Sequence, residues 1–310
     1  MSDPMFTVVL PVYNREQLVQ RAIESVLGQE NTDYELIVVD DGSTDRTVEA
    51  VRRYDKALTL IEQENAGPGA ARNRGIQAAT GEYVTFLDSD DQWLPWTLST
   101  VREAIQRHDR PAFVYGNHVE LALNDTLDTV TRTEYADRHW PDYYTVASNR
   151  NIWIRPPSVA IRTDALRNAG GFSSKRINAE DADLWMKLGT ADGFVHIQQP
   201  PVSTYHRHEA GVVENLMRTY EGMMHLIEQE QSENYPGGQE RRKERRIILT
   251  RHIRAASVSL AKGKYVQEAW NLYRKTVTWN VKQGRWKYAL AFPMLEAVSW
   301  VQSCFSEEDR

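Results

Sequence analysis

The stretch FTVVLPVYNREQLVQRAIESVLGQENTDYELIVVDDGSTD, residues 6–45, decides the fold. Its opening run, Phe6–Val12, is almost continuously apolar, the pattern of a strand buried on both faces. Asn14 stands where a helix cap belongs, with Gln17 three residues on as a capping-box partner. Leu18, Ala22, Ile23, Val26 and Leu27 then recur at helical spacing, and Glu35–Asp40 reads as a second buried strand. The alternation continues outward from there. A short helix carries Val48 and Val51, Leu58–Ile61 is a third strand, a Gly-rich turn opens a helix around Ala70–Ala78, and Tyr83–Leu87 is a fourth strand.

Repeated strand–helix–strand units with short apolar strands predict an α/β fold. Its sheet is mostly parallel and Rossmann-like, with right-handed crossovers and helices on its faces. Ligands of such sheets bind beyond the carboxyl ends of the strands. Those ends carry Tyr13-Asn14, Asp40-Asp41-Gly42-Ser43 and Asp88-Ser89-Asp90-Asp91, so polar and acidic groups from different strands converge on one edge.

The composition sets bounds on this picture. The chain has 310 residues, 41% hydrophobic and 26% charged, which excludes global disorder and allows one large domain with an appendage. The one cysteine, Cys304, excludes an intramolecular disulfide framework and a Cys-cluster metal site, and fits a reducing cytoplasm. No signal-peptide pattern opens the sequence, and no uninterrupted apolar run is long enough to span a membrane; Trp286–Phe305 is broken by Lys287, Pro293 and Glu296. The expected location is therefore cytoplasmic, or peripheral at the cytoplasmic face of a membrane. The net charge of −6 divides unevenly, with an acidic body of −14 over residues 1–235 and a basic tail of +8 over residues 236–310. An acidic body without a recognised basic module argues against nucleic-acid binding.

The middle third is less regular. Phe113–Tyr115 and Ser158–Ile161 read as strands, and Val119–Arg132 alternates around Asn124-Asp125 like a hairpin. Thr163 is placed to cap a helix over Asp164–Ala169 that Gly170-Gly171 would stop. Glu180–Leu188 reads as a helix with acids in its first turn. From residue 214 onward strand signals fade, and Asn215–Gln229, Arg241–Ala261 and Val266–Asn280 read as helices. The predicted division is a catalytic-type α/β domain over residues 1–213 and a basic helical region over residues 214–310.

Two phosphate motifs fail. Gly67-Pro68-Gly69-Ala70-Ala71-Arg72 lacks the last glycine of the dinucleotide fingerprint, and no Walker-type glycine–lysine loop occurs. Asp88-Ser89-Asp90-Asp91 crowds carboxylates at a strand end, where mutual repulsion is relieved by a hard cation such as Mg²⁺ or Mn²⁺; the other reading is a polar loop capping the next helix. Asp40 and Asp41 suit a hydrogen bond to a base or ribose, while Ser43 or Thr44 equally suits a helix cap. Asn65–Gly75 sets backbone N–H groups, Arg72 and Arg74 at a helix start, which could serve a diphosphate or simply pack closely on the sheet. Glu180-Asp181 fits a dipole pair at a helix N-terminus or an exposed general base. His206 and His208 do not by themselves make a metal site.

Taken together and in order, TVVLPVYNREQLVQRAIESVLGQ, ELIVVDDGSTD, NAGPGAARNRG, YVTFLDSDD, GGF…EDADLW and YHRHEAG resemble a family 2 glycosyltransferase of the GT-A fold. The resemblance covers roughly residues 5–213. It implies an inverting enzyme that binds a nucleotide-diphosphate sugar, UDP-sugar favoured, and moves one sugar to a hydroxyl of a glycan, glycolipid or polysaccharide precursor. Pro11, Val12 and Tyr13 would line the base pocket, Asp41 would bond the base with Asp40 nearby, and Arg72 and Ser89 would lie on the nucleotide-diphosphate side. Asp88 and Asp90 match the family's DxD, with Asp90 the likelier direct ligand of Mn²⁺ or Mg²⁺. His208 matches a histidine that helps hold metal or diphosphate, and Asp181 matches the general base. Processive members carry Gln-x-x-Arg-Trp; here Gln239-Glu240-Arg241-Arg242-Lys243 has lysine in place of the tryptophan, which implies a non-processive enzyme. A sugar nucleotidyltransferase, or a non-catalytic binding protein of the same fold, are the alternatives. The segment around Trp140–Trp153 is expected on the acceptor side. In the tail, Trp286, Tyr288, Leu290, Phe292, Leu295, Val298, Trp300, Val301 and Phe305 lie beside Lys282, Arg285 and Lys287. That pattern suits an interfacial helix on an anionic membrane, a helix packed on the catalytic domain, or a contact with a second subunit.

Overall fold

The computed structural model of the chain describes residues 3–121, 126–206 and 215–293. It divides into two compact units, one of residues Met1–Arg176 and Glu180–Gly211, the other of Ile177–Ala179 and Val212–Arg310.

The first unit runs β1 (Phe6–Val12), α1 (Val19–Leu27), β2 (Tyr34–Asp40), α2 (Thr47–Arg52), β3 (Thr59–Glu62), α3 (Pro68–Ala78), β4 (Tyr83–Phe86), α4 (Thr97–Arg107), β5 (Phe113–Gly116) and β6 (His118–Leu121). It continues with β7 (Ala136–Trp140), α5 (Tyr143–Asn149), β8 (Val159–Arg162), α6 (Thr163–Asn168), α7 (Glu180–Lys187), β9 (Phe194–Gln199) and β10 (Ser203–His206). The main sheet has the order β3-β2-β1-β4-β8-β5-β9-β7. Its first half is all parallel, as the buried apolar strands predict. β8 inserts antiparallel between β4 and β5, β9 runs parallel to β5, and β7 closes the edge antiparallel. The sheet is therefore mixed, and β1, β2, β4, β5 and β9 all end on one edge.

β1 is buried along its whole length, and α1 lays Val19, Ala22, Ile23 and Val26 into the core beside it. α3 comes closest to the sheet, because Gly75 faces β1: a Cβ there would sit 2.3 Å from Val9 Cγ1. A valine at 75 must push the helix off the strand. Gly75→Val should cost about 1–3 kcal/mol of unfolding free energy, the range for overpacking a close-packed core. Urea denaturation checks this, and an unchanged midpoint would show that the helix is free to move.

Three local expectations are corrected. Asn14 does not cap α1. It takes φ 49°, and its Oδ1 accepts from Thr44 N at 2.8 Å while its own N–H donates to Ser43 Oγ at 3.0 Å. The side chain thus ties the ends of β1 and β2 together, and the helix starts after a turn in which Leu18 and Val19 N–H reach Arg15 O. Thr163 does not cap α6 either; its hydroxyl donates to Gly81 O at 2.6 Å. The hairpin over Val119–Arg132 is not formed by the described residues: β6 pairs in parallel with β10, giving a separate two-stranded sheet, and its turn, residues 122–125, lies outside the described residues.

The second unit is helical, with α8 (Leu216–Gln231), α9 (Arg242–Lys262), α10 (Val266–Lys282) and a further helical run, α11 (286–293). α9 packs against both α8 and α10. The Gln239–Lys243 segment leads into α9, where Gln239 Nε2 donates to Glu233 Oε1 at 2.6 Å. No described helix is long and apolar enough to cross a membrane.

Candidate active site

The candidate site is built where β1, β2 and β4 end. Strand pairing sets Val12 beside Asp40, and Asp41 N–H donates to Val12 O at 2.9 Å. Pro11 and Val12 are buried, while Tyr13 emerges with 45% of its surface exposed.

The paired aspartates divide their work. Asp41 is buried and its carboxylate is already engaged: Oδ1 accepts from Gln63 Nε2 at 2.7 Å and Ala66 N at 2.8 Å, and Oδ2 from Gly67 N at 2.8 Å. Asp40 Oδ2 accepts from Gly42 N and Ser43 N at 3.1 and 3.0 Å, but its Oδ1 is buried without a hydrogen-bond partner. Buried acceptors are seldom left so. The spare acceptor at the end of β2 is therefore on Asp40, where the sequence reading put the base contact on Asp41. Gly42 makes the clamp possible. At φ 75° a Cβ would lie 2.9 Å from Asn65 N, so only glycine lets the two loops meet.

The clamp also engages the start of the Asn65–Gly75 loop. The N–H groups of Ala66 and Gly67 donate to Asp41. Arg74 is exposed, whereas Arg72, two residues earlier, is buried. Arg72 Nη2 donates to Asp88 Oδ1 at 2.7 Å, Nη1 lies 3.6 Å from Glu180 Oε1, and the guanidinium sits 5.2 Å over the Phe172 ring. One side chain of α3 thus joins the acidic loop after β4 to the first turn of α7.

The segment before α7 is locked to the same helix. Asn73 exchanges two bonds of 2.9 Å with the backbone of Phe172, and Gly171, at φ 68°, has no room for a Cβ against Asn73 Oδ1. Phe172 then packs edge-on to Phe86 of β4 at 5.2 Å. These contacts hold Asp181 on the Asp88 side of the sheet. The carboxyl of Asp181 is pushed up from its usual value, chiefly by desolvation. Its bond from Ala182 N (2.7 Å) and the charge of Arg72 pull the other way, and Asp88 adds to the rise.

The acidic loop is not uniform. Asp88 and Asp90 keep 24% and 21% of their side-chain surface exposed, Ser89 is buried, and Asp91 is sealed inside. Asp91 pairs with Arg155 at 2.9 Å and accepts from His206 N at 3.4 Å. Desolvation raises its carboxyl to about 7 against the pull of Arg155, with Asp88 and Asp90 adding to the rise. Arg15 Nη2 approaches Asp90 at 3.8 Å. Arg155, whose guanidinium stacks 4.0 Å over Tyr205, and Arg15 went unread in the sequence. Only the position of Arg15 just past a strand end hinted at a role, since the partner of Arg155 lies 64 residues away. His206 ends β10, with Nε2 3.4 Å from Arg21 Nη2. His208 lies outside the described residues. Among the described residues no three His, Cys, Asp or Glu side chains converge as a ready-made metal cage.

Comparison with known proteins bears on the family and the fold. The family model "Glycosyl transferase family 2" matches residues 7–168. An uncharacterized glycosyltransferase, alr2836, of Nostoc sp. is 41% identical over 166 residues, 52% of this chain and 51% of the relative. The glycosyltransferase AglE of Haloferax volcanii is 30% identical over 206 residues, 62% and 63% of the two chains. The chain thus spans less than two thirds of the length of these curated relatives. Among solved structures, S. aureus TarS 1–349 superposes with TM-score 0.67 at 24% identity, covering 88% of this chain and 80% of its own. Pyrobaculum calidifontis PcManGT, solved with GDP-Man and Mn²⁺, gives 0.52 at 21% identity over 96% and 88%. At such identities these two likenesses show the fold. The sheet order, the strand-end carboxylates and a family match over more than half of the sequence agree: the chain belongs to glycosyl transferase family 2.

Proposed function

We propose that this chain transfers a single sugar, with inversion, from a nucleotide-diphosphate sugar to a hydroxyl of a glycan or lipid-linked precursor. The observation that carries the reading is the Arg72 bridge, which joins the Asp88–Asp90 loop to the helix start bearing Asp181. The domain of residues 1–213 is the catalytic one in this reading. A UDP-sugar donor is supported by the TarS complex with UDP-GlcNAc, at TM-score 0.66 and 22% identity.

The base would lie against Pro11, Val12 and the exposed Tyr13 ring, with a base N–H donating to the unpartnered Asp40 Oδ1. Asp41 serves as the anchor of the loop floor. On the acceptor side Trp153 offers an indole 66% exposed, suited to stacking on a sugar face.

A divalent cation fits the donor set. Asp90 and the Asp88 oxygen not committed to Arg72 are hard ligands on one loop, and Mg²⁺-type sites commonly take one or two carboxylates and leave the rest to substrate phosphates. Asp90, Asp88 and, as a further candidate, His208 would hold such an ion, Mn²⁺ or Mg²⁺, which when bound would supply positive charge for the diphosphate leaving group. Asp181 accepts the proton of the acceptor hydroxyl as that oxygen bonds to the anomeric carbon. The anomeric bond to the diphosphate breaks in the same displacement, which inverts the configuration. Arg72 holds Asp88 and Glu180 in register without touching the reacting atoms.

Product analysis tests the reading. With sugar nucleotides and Mn²⁺, the protein should release a nucleoside diphosphate. In a second arm, a nucleoside triphosphate and a sugar 1-phosphate replace the sugar nucleotide; release of pyrophosphate there, with no nucleoside diphosphate in the first arm, would instead identify a nucleotidyltransferase.

A further inference from the structure

Residues 241–293 hold fourteen Lys and Arg against two acids, Glu244 and Glu268. At the start of α9 the charge is balanced: Arg241 pairs with Glu244, Arg242 with Glu233, and Arg245 and Arg246 share the buried Glu230. Beyond them, residues 247–293 carry nine Lys and Arg and one acid, Glu268.

The fold gathers several of these cations. Thr250 Oγ1 donates to Gln283 Oε1 at 3.0 Å, which brings α9 beside the turn between α10 and α11. Arg254 then sits 5.9 Å over the Tyr288 ring. Burial, followed by repulsion from Arg285 and Arg251, holds Arg254 below the usual arginine value. Arg285 Nε is buried without a hydrogen-bond partner, and Lys282 and Lys287 are exposed on either side.

α11 turns its two faces to different surroundings. Ala289 and Phe292 are buried: Tyr273 OH donates to Ala289 O at 2.6 Å and the Tyr273 ring stacks on Phe292 at 4.9 Å. Trp286 and Leu290, one turn apart, are 55% and 64% exposed. A bare indole and isobutyl group set among cations match an anionic bilayer, where aromatics settle at the headgroup level and Lys and Arg meet lipid phosphates. A second copy docking by two-fold symmetry would set this positive patch against itself.

We propose that this end of the helical unit, formed by Arg254, Lys282, Arg285, Lys287, Trp286 and Leu290, docks on an anionic phospholipid surface. The proposal stands independently of the transfer reaction. Flotation of the full chain with phosphatidylglycerol–phosphatidylcholine vesicles tests it against pure phosphatidylcholine vesicles. Binding should require the anionic lipid and weaken as salt rises. Lys282→Gln with Lys287→Gln should lower partitioning about thirtyfold, from two surface charges. Trp286→Ala with Leu290→Ala should also release the protein from vesicles, while its circular dichroism and donor hydrolysis stay unchanged. Equal binding to both vesicle types, no binding, or full binding by the Trp286/Leu290 variant would overturn it. So would tighter retention on duplex DNA than on vesicles at the same salt, or a dimer that the Trp286/Leu290 variant converts to monomer.

Discussion

Asp181→Asn should leave donor binding within a few-fold of the parent and reduce transfer by about 10²–10⁴-fold, the range for a lost general base. The two carboxyl oxygens of Asp181 become an amide of the same shape, which cannot take a proton. The donor contacts proposed at Asp40 and Asp90 are untouched. The acid limb of kcat/KM should also report this residue. Desolvation raises the Asp181 carboxyl, so the rate should begin to fall at a pH above the ordinary aspartate range as the base is protonated. The stability effect has the opposite sign to the usual carboxylate. A folded-state value above the unfolded one means that the folded chain holds the proton more tightly. The contribution of this group to folding is therefore full at low pH and is lost as pH rises through the raised value. Asp181→Asn, neutral throughout, should unfold at the same temperature or higher at neutral pH. Equal transfer by the variant would remove Asp181 from the mechanism, and a lower melting temperature would point to a structural role.

Asp90→Asn should abolish the Mn²⁺-dependent component of nucleoside-diphosphate binding and reduce transfer by about 10³-fold. The proposed protein ligands are Asp90 and one oxygen of Asp88, so the Asp90 carboxylate is a large share of the donor set. Asp88 is the weaker choice for this test, because one of its oxygens is committed to Arg72 and its removal leaves the buried guanidinium with only the longer contact to Glu180. Titration calorimetry of UDP and GDP with Mn²⁺, repeated in EDTA, reads the effect directly. The parent should lose its affinity in EDTA, and Asp90→Asn should behave in Mn²⁺ as the parent does in EDTA. Metal-independent binding of equal strength in both proteins would contradict the assignment.

β1, β2 and β4 were legible because they are buried on both faces over most of their length and so are mainly apolar. The edge on which they end was legible for the same reason, since parallel strands share it. What sequence could not supply were pairings between distant segments. The tie from Asn14 to Ser43 and Thr44 overrides a cap signal that is locally sound. The residues after β5 alternate like a hairpin, yet β6 finds its partner 85 positions downstream, His118 opposite Ser203. Asp40 and Asp41 are identical in type and adjacent. Only the loop that reaches back from Gln63 to Gly67 decides which of them keeps a spare oxygen. Arg72 and Arg74 likewise differ only by the face of α3 on which they fall.

The most direct test of the central claim is a crystal of the protein with UDP and Mn²⁺, measured for anomalous scattering at the manganese edge. The account predicts one peak within coordination distance of Asp90, with the uracil against Tyr13 and Asp40. A peak away from the Asp88–Asp90 loop, or a nucleotide seated elsewhere in the chain, would contradict it.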